Sequence, residues 1–343
     1  MATTNWSAGA CSTRFANSGM SSTQRPGFTL HDRLSGRPQP DLAAEIAATL
    51  LAPAPWLAPK YFYDAVGCEL FVAITALPEY YPTRTEAAIF LGERTAIAAA
   101  VGDRRQLVDL GSGDCKKAAC WFPFLNPVRY VAVDVARGPV EAALAGFAGE
   151  VTETVLVGVI DDFSATLDLA GVLGPEPVTL FYPGSSIGNF TPDEACRLIM
   201  QMRRYCVVPG SGLLIGVDLV KDDATLVAAY DDAAGVTAAF NRNALNHVQR
   251  ITGGSVEVGA FRHVALFNRH ESRIEMHLEA IHETRIAIGL NERRFLPGER
   301  IHTENSYKYE PEKFIALLNA AGFGAVQWWT DEKRHFGVFF ASP

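Results

Sequence analysis

The 343 residues carry a formal net charge of −8, with 48% hydrophobic and 20% charged side chains. These are the proportions of a soluble globular protein with room for one large domain or two modest ones. No basic run neutralises phosphates, which excludes nucleic acid as an expected partner, and no apolar stretch approaches the roughly 18–20 residues that span a bilayer. The six cysteines form no CxxC pair, so free thiols in a reducing cytoplasm are expected in preference to a metal site.

The first 30 residues are rich in Ser, Thr, Gly and Asn without an apolar segment. They read as a disordered tail, not as a signal peptide. Residues 41–51 place Leu42, Ile46, Leu50 and Leu51 at helical spacing behind an Asp cap, which predicts an amphipathic helix broken by Pro53, Pro55 and Pro59. Segment 60–86 is dense in aromatics that are mostly core by composition. Tyr80-Tyr81-Pro82-Thr83-Arg84 is expected in a turn, where tyrosine hydroxyls serve as ligand handles.

From Gln106 onward, candidate strands alternate with helices at 106–111, 130–135, 155–160, 178–182 and 213–220. That alternation predicts an α/β fold, with βαβ units and a parallel sheet. Thr191, Pro192 and Glu194 spell a capping box with proline at the first helical position. After Val220 the pattern changes. Residues 222–251 are helical by composition, and Gly253-Gly254 ends the run. Residues 261–288 alternate, with Ile274, Met276, Leu278 and Ala280 on one face and Glu275, His277 and Glu279 on the other. This predicts antiparallel strands and so a second, smaller α+β unit. A helix at 310–323 and a hairpin of 325–329 with 336–340 close the chain. The expected division is 85–220 plus 308–343 for the sheet domain and 31–84 plus 221–307 for the second.

The richest chemistry lies at 106–117, QLVDLGSGDCKK. An apolar strand stops at Gly111-Ser112-Gly113, and an acid, Asp134, follows about 20 residues on at the next strand end, where a carboxylate can take both ribose hydroxyls. The third glycine of a dinucleotide turn is replaced by Lys116. This argues against NAD and leaves an adenosine ligand without a pyrophosphate, such as S-adenosylmethionine. Asp109 and Asp114 flank the glycines as ligand contacts, turn caps or surface acids. Asp161, Asp162 and Phe163 follow the third strand, where an acid can accept from an adenine amino group while the ring covers the base.

In the loop 181–189, Asn189 suits an α-carboxylate or α-amine, and a turn cap fits it equally well. Glu304 can accept from an azole N–H with Ser306 beside it, although bare sequence reads both as surface strand residues. The eight histidines show no HxxxH or HExxH pair and read as structural.

Taken together, FYDAVG, LPEYYPTRTE, LVDLGSGD, YPGSSIGNF, VDLVKD, AYDDAAGVTAAFN, IEMHLEA and IHTENSYKY resemble the ergothioneine-pathway L-histidine Nα-methyltransferases, from about Leu42 to Phe340. The resemblance implies a Rossmann-like class I S-adenosylmethionine-dependent methyltransferase sheet with a smaller substrate domain. It also implies trimethylation of the histidine α-nitrogen to hercynine. By position it assigns Tyr63, Gly111, Lys117, Asp134, Asp162 and Phe163 to the cofactor. Tyr80, Gly184, Asn189, Tyr230, Phe240, Met276, Glu304 and Ser306 fall to the amino acid, with Tyr63 and Asn189 at the reacting amine. The implied partners are L-histidine and its mono- and dimethylated forms, with no metal, nucleic acid or membrane, for a cytoplasmic monomer. Two departures stand out: Asp161 replaces a frequent glycine, and Asp114-Cys115 falls in a variable part of the glycine loop.

The implied chemistry is in-line attack of the neutral amine on a sulfonium methyl, dominated by positioning. The alternatives are a methyltransferase of the same fold for another amino acid such as tryptophan, and a non-catalytic sensor of histidine or S-adenosylmethionine.

Overall fold

Leu156-Val157-Gly158-Val159-Ile160 and Tyr130-Val131-Ala132-Val133 lack polar alternation, which commits them to strands covered on both faces. The computed structural model describes residues 21–25, 27–35 and 41–343. Its described residues divide into two units, 21–35 with 82–220 and 309–343, and 41–81 with 221–308. The first unit opens with strands β1 (Ser21–Arg25), β2 (Phe28–Asp32), β3 (Gln106–Leu110), β4 (Arg129–Asp134), β5 (Val155–Ile160), β6 (Val178–Tyr182) and β7 (Gly212–Asp218). From β2 to β7 every neighbouring pair is parallel. The helix Pro192–Arg203 joins β6 to β7, and its capping box forms as expected: Thr191 N–H donates to Glu194 Oε2 at 2.9 Å, and Glu194 N–H to Thr191 Oγ1 at 3.3 Å.

Two expectations are corrected here. Residues 21–25 and 28–30, expected in a disordered tail, belong to paired strands, while residues 1–20 lie outside the described ones. Leu30 explains the second strand: a Cβ at Gly158 of β5 would stand 2.6 Å from its Cδ1, so the missing side chain makes room for it. Tyr81-Pro82-Thr83-Arg84 is not a turn but the start of the helix Tyr81–Gly92, where proline in the first turn costs no backbone hydrogen bond.

In the second unit β8 (Ser255–Val256), β9 (Phe261–Asn268), β10 (Arg273–Ala280), β11 (Thr284–Ile288), β12 (Asn291–Phe295) and β13 (Arg300–Tyr307) form two three-stranded antiparallel sheets, β13-β10-β9 and β12-β11-β8. The apolar face of β10 packs into one core with Phe240, Ala244, Leu245 and Val248 of the helix Val236–Thr252 and Ile46 and Leu50 of the helix Leu42–Leu50. Its polar face is buried too, at 8%, 8% and 7% exposure for Glu275, His277 and Glu279. Charge pairing allows this. Glu279 accepts from Arg262 at 3.0 Å and from Arg300 at 2.7 Å.

The chain then returns to the first unit. Strands β14 (Ala325–Thr330) and β15 (Phe336–Ser342) make the expected hairpin, and β15 docks antiparallel on β7. The nine-stranded order is β1-β2-β5-β4-β3-β6-β7-β15-β14. Among the described residues no helix is long and apolar enough to cross a membrane.

Asp109 sits inside β3, not at its end. It is 2% exposed and accepts from the Tyr130 hydroxyl at 2.8 Å. Burial pushes its carboxyl up to about 7 against the opposing pull of that hydrogen bond. Because the folded value lies above the unfolded one, this carboxyl's contribution to stability is full below about pH 4 and is lost as pH rises through about 7. Asp109→Asn removes the dependence. The unfolding free energy of the variant relative to wild type is expected to rise by about 2–3 kcal/mol between pH 5 and 8, as urea titrations at the two pH values will measure.

Candidate functional site

Strand order reverses at β3: the chain runs outward through β4 and β5 on one side and through β6 and β7 on the other. The carboxyl ends of β3 and β6 therefore diverge, and such a switch point is where an open α/β sheet receives ligands. After β3 the chain turns through Gly111 and Gly113, at φ +69° and +53°, a backbone region that glycine enters without strain. A Cβ built at Gly113 meets nothing, and one at Gly111 reaches only the Phe163 ring at 4.0 Å, so the turn faces open space. At the end of β4, Asp134 accepts from the amides of Gly113 and Ala136, each at 2.8 Å. Burial raises its carboxyl and those backbone amides oppose the shift. Asp162 is exposed and accepts from Ser164 N–H at 3.0 Å, while Phe163 lies edge-on to Tyr182 at 5.9 Å. Asp114 caps the turn through Lys116, by its amide at 3.3 Å and its amine at 2.7 Å. This is the turn cap among the three roles open to it by sequence.

The loop after β6 is held by a residue that the sequence reading passed over. Glu86, 1% exposed, accepts from Gly184 N–H at 2.6 Å and from the Lys117 amine at 2.7 Å. One carboxylate thus ties the loops that leave β3 and β6. Its sequence signal is an acid three and four residues before buried Ile89 and Phe90, which places it on the covered side of its helix. Gly184 and Ser185 take φ +82° and +59°, and the Ser185 hydroxyl accepts from Asp218 N–H at 2.8 Å. Asn189 ends the following short helical turn with its side chain exposed.

The second unit gathers a different set. Tyr63 lies edge-on to Phe71 at 5.7 Å and to Phe240 at 5.8 Å. Tyr80 lies edge-on to Tyr230 at 6.3 Å. Met276 pairs across the strands with Glu304, and Ile274 with Ser306, so all four share the face that meets Phe240. Lys308, also unforeseen, continues the alternation 304, 306, 308. It is 2% exposed and donates to the Ser306 hydroxyl at 2.7 Å and the Tyr230 hydroxyl at 3.0 Å, which are themselves 2.8 Å apart.

Burial pushes the Glu304 carboxyl up to about 7 against the attraction of Lys308. Desolvation, then the Glu304 charge, holds the Tyr63 hydroxyl well above its ordinary range. His263 is structural: Asn241 Nδ2 contacts its Nδ1 at 2.8 Å, so its Nε2 donates to the Tyr230 carbonyl at 2.8 Å. Gly111, Lys117, Asp134, Asp162, Phe163, Gly184 and Asn189 therefore belong to the first unit, and Tyr63, Tyr80, Tyr230, Phe240, Met276, Glu304 and Ser306 to the second.

A family model described as histidine-specific methyltransferase, SAM-dependent, matches residues 42–343. The chain is 41% identical over 306 residues to histidine N-alpha-methyltransferase of Mycolicibacterium smegmatis, covering 88% of this chain and 94% of that one. It is 40% identical over 292 residues to the protein of the same name from Mycobacterium tuberculosis, covering 83% and 90%. Ergothioneine biosynthesis protein 1 of Neurospora crassa is 28% identical over 277 residues, which are 78% of this chain and 31% of that protein.

Removing the carboxylate that ties the two loops has a defined cost. Glu86→Ala is expected to lower stability by about 2–4 kcal/mol, because it leaves the Gly184 amide and the Lys117 charge without their acceptor. Glu86→Gln restores only part of this, since an amide oxygen can accept from Gly184 but cannot neutralise Lys117. Urea unfolding of the three proteins is the check.

Proposed function

The chain belongs to the histidine-specific, S-adenosylmethionine-dependent methyltransferases, and from that premise we propose that it places three methyl groups in succession on the α-amine of L-histidine. The product is hercynine, the first intermediate of ergothioneine biosynthesis. The observation that carries the choice of histidine is the Glu304 carboxyl, half-buried opposite Met276 with Ser306 two residues on. An imidazole N–H satisfies that acceptor, and Met276 limits the ring by contact. A side chain without such a donor leaves it unpaired, which is how a polar pocket rejects analogues.

The first unit's residues fit the cofactor. The Gly111–Gly113 turn opens onto free space bordered by Phe163, and a carboxylate stands at the end of β4. We assign Asp134 to the ribose hydroxyls, Asp162 to the adenine amine, Phe163 to the adenine face, and Gly111 and Lys117 to the amino-acid portion. When bound, S-adenosylmethionine supplies an electrophilic methyl on a sulfonium.

The chain's part is to present a neutral amine in line. By the family resemblance we assign Asn189 and Tyr230 to the substrate carboxylate and Gly184 to the amino acid. Lys308 donates to both the Tyr230 and Ser306 oxygens, so both hydroxyl protons are directed away from the ammonium. Tyr63 stays protonated across the working range because its pKa is raised. It therefore serves as a neutral hydroxyl at the amine and not as a base. The amine sheds its proton to water, and each transfer breaks a sulfur–carbon bond, forms a nitrogen–carbon bond and leaves a thioether. Tyr80 and Phe240 wall the ring.

Cys115, Cys120, Cys196 and Cys206 are free thiols, which supports a reducing, cytoplasmic setting. The net charge of −8 supports small molecules over nucleic acid as partners.

Two expectations follow. Asp134→Ala weakens S-adenosylmethionine by about 1.5–3 kcal/mol in calorimetric titration, whereas Asn189→Ala lowers turnover far more than cofactor affinity; the reverse pattern contradicts the assignment. For the amino acid, the Glu304 carboxyl ionises as pH rises through about 7 and becomes the stronger acceptor. Amine deprotonation raises kcat/KM for histidine with pH in every variant, and the wild type therefore shows a steeper rise through about pH 7 than Glu304→Gln. Glu304→Ala raises KM by about 1–3 kcal/mol equivalent, and a smaller residue at Met276 begins to admit tryptophan. Initial rates against both amino acids decide it, and full histidine activity in Glu304→Ala would refute the choice of substrate.

A further inference from the structure

The face of β10 turned away from Met276 carries Glu275 and His277 at alternate positions, so both side chains leave the strand on one side. His302 of β13 stands directly across from His277, at the bulge that falls between Met276 and His277. One donor atom of each residue lies within 4.8 Å of the others. Two residues spaced i, i+2 on one strand and one on its antiparallel neighbour can converge three ligands from a sheet. The spacing 275, 277 and 302 conceals this in the sequence.

We propose that Glu275, His277 and His302 form a binding site for one divalent transition-metal ion of the zinc class. The site is distinct from the residues assigned to histidine and independent of that assignment. Two imidazoles and a carboxylate are a donor set that suits such an ion and leaves a position for water.

Four observations support it. Glu275 Oε2 and His277 Nε2 are 3.1 Å apart, near the roughly 3.4 Å that separates neighbouring ligands around a tetrahedral ion with bonds of about 2.0–2.1 Å. His277 is 8% exposed, so burial holds its ring in place on the covered polar face of β10. Two of the three side chains are also oriented from behind. Asn268 and Arg273 hold Glu275 Oε1 at 2.9 and 2.8 Å, which leaves Oε2 toward the histidines. His302 Nε2 donates to the Glu304 carbonyl at 3.0 Å, which leaves the Nδ1 lone pair available. Backing of this kind fixes the orientation of metal-binding imidazoles and carboxylates. Lastly, the nearby cations are compensated. Arg262 and Arg300 pair with Glu279, and Arg273 pairs with Glu275.

The test is a titration of chelator-treated, histidine-free protein with Co²⁺, followed by its visible absorption and by displacement with Zn²⁺. One equivalent with a visible band that Zn²⁺ abolishes is expected, together with a Zn²⁺-dependent rise in Tm. His302→Ala, at the half-buried ligand, is expected to weaken binding about 100-fold or more and to cancel the rise in Tm, and His277→Ala to do the same. Circular dichroism checks each variant's fold. Should buried His277→Ala fail to fold, the wild type and His302→Ala suffice. No band and no Zn²⁺-dependent Tm rise in the wild type overturns the proposal, as does binding that survives in His302→Ala.

Discussion

The reversal of strand order between β3 and β6 decides where the first unit can hold a ligand. Two loops leave the sheet in different directions at that point, and both need backbone that most residues resist: Gly111 and Gly113 after β3, Gly184 and Ser185 after β6, all at positive φ. Loops of this kind have little stability of their own. Glu86 supplies it from beneath, because its one carboxylate, removed from water, can be satisfied only if the Gly184 amide and the Lys117 amine both come to it. Burial makes the arrangement cooperative, since an acceptor stripped of water is costly to leave unpaired. Two loops of the first unit thus meet in one side chain.

The second unit uses strand alternation to the same end. Glu304, Ser306 and Lys308 project from one side of β13, and His302 works on the other. The buried ammonium of Lys308 and the carboxyl of Glu304 draw on each other across low-dielectric surroundings, and desolvation still holds the carboxyl near neutrality. A partly buried acceptor of this kind discriminates between ligands by the penalty of an unmet hydrogen bond, a sharper criterion than size. Tyr230 connects this network to the aromatic wall: its ring meets Tyr80, and its hydroxyl meets Ser306 and Lys308.

Much of this was legible in the sequence. The five parallel strands from β3 to β7 declared themselves as apolar runs ending in glycine or acid, and Thr191 with Glu194 announced its helix, because these signals are local. Asp134 was legible as the acid one strand beyond the glycines. What stayed hidden depends on contacts far apart in the chain. β2 exists because Leu30 fits the space above Gly158, and nothing near residue 30 shows that. The buried polar face of β10 depends on arginines from β9 and β13 that pair with Glu279. Glu86 and Lys308 read as ordinary charges until their helix and strand phases are set against buried neighbours. Asn189 reads as a cap or a ligand by sequence, and its exposed side chain is open to either. Tyr81–Arg84 opens a helix and not a turn, because proline is tolerated in the first turn of a helix.

The central claim is that this chain methylates the α-nitrogen of histidine. The most direct measurement is mass spectrometry of L-histidine incubated with the protein and S-adenosylmethionine, with fragmentation to locate the added groups. The account predicts a product bearing three methyl groups, all on the α-nitrogen, with one S-adenosylhomocysteine formed for each. Unmodified histidine, or methyl groups carried on the imidazole ring, would contradict it.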